Sequence, residues 1–132
     1  MHRSLALTAV IFLCFFSTTV FSQALGITNP EMSVKNLEDL EPRVFDDGRV
    51  VYRISAATTG LVYVEWPKGS TTTPHNHANE LVLAVVSGKL RAISGDQEFI
   101  MEAGDVVIIP AWVEHSYVAL EDTVTYEAAG PG

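Results

Sequence analysis

Residues 73–88 read TPHNHANELVLAVVSG. His75 and His77 stand two apart, just ahead of an apolar run that closes on Ser87 and Gly88. Residues two apart on an extended chain project to the same face, so both imidazoles can reach one point. A third histidine, His115, follows His77 by 38 residues, behind a second turn-and-strand unit running from Gly104 through VVII to Pro110. Three imidazoles converging inside one domain make a site for a single divalent metal ion. The expected ion is Zn, Fe, Ni, Cu or Mn; imidazole suits each of them and spacing does not choose among them.

The text around the histidines reads as strands. Short β-rich runs are expected at 49–54, 60–66, 80–86, 89–93, 97–101, 105–109, 114–120 and 123–128, divided by turn residues such as Asp47-Gly48, Lys68-Gly69 and Gly95-Asp96. Strands this closely spaced, with no long helical period, predict an all-β sandwich or barrel. The runs 81–86 (LVLAVV) and 106–109 (VVII) are apolar on both faces. One face then belongs to the interior. The other needs a cover, either the chain ahead of the strands or a second copy in a homodimer.

Ahead of the strands, residues 5–16 (LALTAVIFLCFF) form an uncharged apolar block behind His2 and Arg3, with small residues following. It is shorter than the ~20 apolar residues a transmembrane helix needs, and its flanks suit a cleaved secretory signal. The division expected is a signal peptide over 1–22, a lead-in segment over 23–42 and a barrel over 43–132. The protein is then secreted or periplasmic, with no stable membrane anchoring after cleavage. Past residue 22 the chain carries 7 Lys+Arg against 16 Asp+Glu, a formal charge of −9. A surface that acidic argues against nucleic acid and anionic membrane as partners and leaves a small-molecule ligand. Cys14 lies within the apolar block, so no disulfide framework follows it.

The two histidine stretches resemble the paired motifs of the cupin superfamily. The first runs Gly69, five residues, His75-Asn76-His77, then Leu81 where the motif carries a carboxylate, six residues, and Gly88. The second runs Gly104, five residues, Pro110, Ala111, Trp112 in place of the usual glycine, two residues, and His115. The resemblance implies a double-stranded β-helix, the jelly-roll barrel of the cupins. It also implies His75, His77 and His115 as metal ligands. Glu80 falls one residue short of the carboxylate position. Two ligand sets follow: three histidines with water completing the sphere, or a bulge near Asn79 that turns Glu80 inward.

Tyr117, two beyond His115, shares its face and is the candidate catalytic residue, as a proton or hydrogen-bond donor. Glu114 is expected on the opposite face, in solvent. The 70–73 stretch, STTT, is expected to form the loop into the site with hydroxyls available to a ligand. No carboxylate base is expected on the inward face. The stretch 109–132 is similar to the small single-domain cupins that act on unsaturated sugar acids in pectin and alginate breakdown. That likeness implies a metal-dependent isomerase or lyase for a small carboxylate- or carbonyl-bearing substrate. The alternatives are a three-histidine iron dioxygenase and a non-catalytic barrel that binds a small ligand.

Overall fold

Alternation along the strands decides which way the sheet faces. In β4 (Leu81–Ser87), Leu81, Leu83 and Val85 are buried while Val82 and Val86 are exposed. Each neighbouring strand keeps the same period, so one face of the sheet is continuous and apolar and closes over an interior. The computed structural model describes residues 31–130. The chain divides after Val34 into two units; in the second, from Lys35 on, nearly all regular structure is strand.

The strands are β1 (Arg43–Val44), β2 (Val50–Ser55), β3 (Gly60–Trp66), β4, β5 (Lys89–Ser94), β6 (Gln97–Glu102), β7 (Val106–Ile109), β8 (Ser116–Ala119) and β9 (Thr123–Ala129). The eight expected strands are all present, with ends displaced by two residues at most; the two-residue β1 is additional. They form an antiparallel six-stranded sheet in the order β1-β2-β3-β9-β4-β7 and a three-stranded sheet in the order β6-β5-β8. This is the jelly-roll barrel expected. Its core includes Val64, Trp66, Leu83, Leu90 and Tyr117, drawn from both sheets. Trp66 Nε1–H donates to Thr125 Oγ1 at 2.9 Å, which satisfies the buried indole within that core.

Gly88 turns β4 into β5 with φ +80. A Cβ there would collide with the Asp122 carbonyl and stand 2.6 Å from Thr123 Oγ1. The Thr123 hydroxyl accepts from the Lys89 amide at 2.9 Å, so the close approach ties two turns together.

The signal segment and residues 23–30 of the lead-in lie outside the described residues. The described part of the lead-in holds one 3-10 turn, Leu37–Asp39, capped by Asn36 and burying no residue. Among the described residues, no helix is long and apolar enough to cross a membrane. Val82, Val106 and Ile108 remain exposed on the outer face, and no described residue covers them.

Candidate metal centre and cavity

His75 and His77 do not sit on a strand of either sheet. They lie on residues 69–77, which run along β8 as an irregular extra strand. Gly69 and Thr72 donate backbone N–H to the carbonyls of Ala119 (2.8 Å) and Tyr117 (3.0 Å). His75 and His115 exchange a mutual pair of backbone hydrogen bonds, at 3.0 and 2.9 Å, and the Trp112 amide donates to the His77 carbonyl at 2.8 Å. The two motifs are therefore stitched together by main chain, with their histidines opposite each other by register. Trp112, in the motif's glycine position, makes its bond with φ +66, in the region glycine adopts most readily.

Three of the four hydroxyls of 70–73 are engaged within the protein. The Ser70 hydroxyl donates to the Pro67 carbonyl at 2.7 Å, the Thr71 hydroxyl to the Tyr117 carbonyl at 2.9 Å, and Thr72 Oγ1 accepts from the Tyr117 amide at 2.9 Å. Two of these side chains, Thr71 and Thr72, latch the histidine segment to β8 and Ser70 closes the turn after Pro67, while Thr72 and Thr73 line the cavity beside His75.

The three ring systems meet. One nitrogen from each of His75, His77 and His115 lies within 4.8 Å of the others. A carbonyl only accepts, so the ring nitrogen facing it carries the proton. His75 Nδ1–H donates to the Thr73 carbonyl and His115 Nδ1–H to the Val113 carbonyl, each at 2.9 Å. That leaves both Nε2 lone pairs free, the tautomer a metal ligand needs. His115 is buried, and its Nε2 has no partner in the protein. Burial holds its imidazole below the ordinary value, the hydrogen bond to Val113 opposes this, and His75 and His77 add to it. A buried, neutral, unpartnered imidazole nitrogen aimed at two others fits a divalent cation. Among the described residues no carboxylate joins the cluster: Glu80 is exposed, Leu81 is buried facing inward, and the bulge of β4 falls at Val85–Ser87, not at Asn79. The three-histidine set is the one present.

His75 also lines a cavity of about 250 Å³ inside the barrel, with Leu81, Trp66, Tyr117, Arg49, Arg53 and Glu127 among its walls. Tyr117 faces inward as expected. Its ring packs edge-on against His115 at 5.4 Å and against Trp66 at 5.8 Å, and its hydroxyl is buried without a partner. Burial, with the Glu127 charge adding, pushes that phenol far above its usual range. Glu114 is exposed, as read.

Glu127 is the residue sequence reasoning missed. The inward face was expected to lack a carboxylate, but register puts Glu127 opposite Val62 and Leu83, both of the inward row. The alternation of 123–129, TVTYEAA, carries the signal: Thr123 and Thr125 are buried, and Glu127 continues their parity. Burial raises its carboxyl to about 7, and Arg53 and Arg49 oppose the rise.

A β-barrel that brings three imidazoles to one point from paired strand-turn units is of the metal-site type. The comparisons place the chain: the cupin domain family matches residues 62–126, and the chain belongs to the cupin superfamily. Similar solved structures include an RmlC-like cupin from Shewanella frigidimarina, at 19% identity and TM-score 0.70 over 77% of this chain and 93% of that one. KdgF from Halomonas sp. is similar at 21% identity and TM-score 0.70, over 77% and 96%. A predicted oxalate decarboxylase from Thermotoga maritima is similar at 13% identity and TM-score 0.65, over 74% and 97%. Identities this low speak for the fold. No curated protein matches the sequence.

Proposed function

We propose that the protein is a metal-dependent isomerase or lyase acting on a small carboxylate- or carbonyl-bearing substrate such as a sugar acid. The observation that carries this reading is the three-histidine cluster whose His75 opens onto a cavity with two arginines. The cavity volume, about 250 Å³, suits a small molecule. Arg53, which makes no ion pair among the described residues, favours an anionic one, against the acidic balance of the chain as a whole. The likeness to sugar-acid cupins points the same way. His75, His77 and His115 would hold one divalent ion. That ion would supply positive charge to polarise a carbonyl, a carboxylate or a water.

The chain's own groups do the rest. Tyr117 keeps its proton at any working pH, so it donates a hydrogen bond to a substrate oxygen and does not act as a base. Trp66 and Leu81 exclude water from part of the wall. The 1–22 segment would send the protein out of the cytoplasm.

The test is metal analysis of protein carrying no affinity-tag histidines, followed by turnover of unsaturated uronates before and after chelation. About one metal per chain is expected, lost in His115→Ala, with no turnover by the chelated sample. Full turnover without metal ends the proposal. Oxygen uptake by iron-loaded protein, absent with zinc, would instead support the dioxygenase, for which the lack of a carboxylate ligand is the favouring observation.

A further inference from the structure

We propose that Glu127 is the proton-carrying group of the cavity, and that the substrate is a small keto or hydroxy carboxylate whose anionic group is held by Arg53. The proposal rests on the metal-dependent reading above and goes beyond it in naming the base, the anchor and the bond that is broken.

The geometry comes from strand register. Arg53 of β2 pairs with Val62 of β3, and Val62 pairs with Glu127 of β9. All three share one face of the sheet, with Arg53 lining the cavity from a solvent-exposed position. Neighbouring strands lie about 4.8 Å apart, so the backbones of Arg53 and Glu127 stand roughly 10 Å from each other across Val62. Both side chains line the same cavity. Among the described residues, neither makes an ion pair or a hydrogen bond. A cation and a carboxyl that feel each other's charge but make no direct ion pair thus face a common space about as wide as a small acid. Arg49 is committed elsewhere: its Nε–H donates to Asp47 Oδ2 at 2.7 Å, and its guanidinium lies over Phe45 and Trp66.

Elimination singles out Glu127. The titratable groups lining the cavity are Arg49, Arg53, His75, Tyr117 and Glu127. The arginines do not give up protons near neutral pH. His75 belongs to the metal cluster, and Tyr117 holds its proton. Glu127 alone can take up and return one, and burial has moved its carboxyl toward the range where a general base works best.

In the step proposed, a Glu127 carboxylate oxygen removes the proton from the carbon next to a substrate carbonyl. The C–H electron pair passes into the carbonyl as an enolate. The protonated Glu127 then returns that proton to a second position of the same substrate. Nothing is oxidised or reduced overall.

The test uses the metal-loaded full chain in D2O with pyruvate and 5-keto-D-gluconate as probes. Proton NMR follows deuterium entering the carbon beside the keto group, and metal content is measured alongside. Glu127→Gln should keep its metal and bind the probes within about twofold, yet lose exchange by about 100-fold or more, the lower end of what general-base removal costs. Glu127→Asp should recover part of the rate. Arg53→Met should weaken probe binding about tenfold. Exchange by Glu127→Gln within threefold of wild type overturns the proposal. So does a metal-loaded wild type that exchanges neither probe, which leaves the metal reading standing. A wild type that takes up no metal sinks both, and the metal count alone identifies that case.

Discussion

Replacing Glu127 by glutamine should make the metal-free protein more stable at alkaline pH and hardly change it at acid pH. The carboxyl rises from an ordinary 4.5 to about 7 on folding. A group whose folded value is raised favours the folded state in its protonated form. Below about pH 4.5 both states are protonated and no cost is felt. As pH climbs toward 7 the unfolded chain ionises first, and stability is lost; above 7 the loss is complete. At about 1.4 kcal/mol for each pH unit between the two values, the full cost is about 3 kcal/mol. Glu127 is only partly buried on the cavity wall, and solvent screening there reduces the figure to about 2 kcal/mol. The charged groups facing it are Arg53 and Arg49 from the β2 side, with His75 and Tyr117 across the cavity. Glutamine has the same shape and no charge, so the difference between wild type and variant isolates this one titration. The assay is urea unfolding of both proteins, after chelation, near pH 4.5 and near pH 8.5. The variant should gain about 2 kcal/mol at the higher pH and less than about 0.5 at the lower. For a domain of this size the gain appears as roughly 8–15 °C in melting temperature. A difference that stays constant with pH, or a variant less stable at pH 8.5, would refute the placement of the carboxyl in a poorly solvated cavity.

Three further outcomes follow from the packing and the ligand set. Gly88→Ala should destabilise by about 3 kcal/mol or more in thermal unfolding, since its Cβ meets the Asp122 carbonyl and the Thr123 side chain while φ is +80. An alanine variant within about 0.5 kcal/mol of wild type would show that this turn relaxes freely. Thr125→Val keeps the volume but strands the buried Trp66 indole N–H, at a cost of about 1–3 kcal/mol, with a shift in Trp fluorescence as the independent sign. Leu81→Glu puts a carboxylate on the inward face beside His75, and titration calorimetry should show tighter divalent-metal binding by about tenfold, about 1.4 kcal/mol; unchanged affinity would place position 81 beyond reach of the cluster.

Local order along the chain carried a great deal. Turn residues at Gly48, Gly69, Gly88, Gly95 and Gly104 mark strand ends because all five glycines hold positive φ, which other residues enter reluctantly. The period of two told which way Leu81, Leu83 and Tyr117 would face, since a strand repeats every second side chain. The spacing of His75, His77 and His115 named the histidine cluster that could hold a metal for the same reason, each motif being a local unit with its own turn.

What local order did not carry was pairing between strands far apart in sequence. That β9 lies between β3 and β4 depends on how the sheet closes, and only there does Glu127 come to share a row with Arg53, 74 residues away. Its raised carboxyl and the room between the two charges follow from burial, which no single stretch of sequence encodes. The same holds for the Thr71 and Thr72 hydroxyls: their residue types suggested ligand contact, but β8, 46 positions on from Thr71 at Tyr117, claims their hydrogen bonds. Chemistry within a few residues was settled by the sequence. Which groups meet across the barrel was settled by closure, because sheet contacts join residues whose separation along the chain says nothing about their distance.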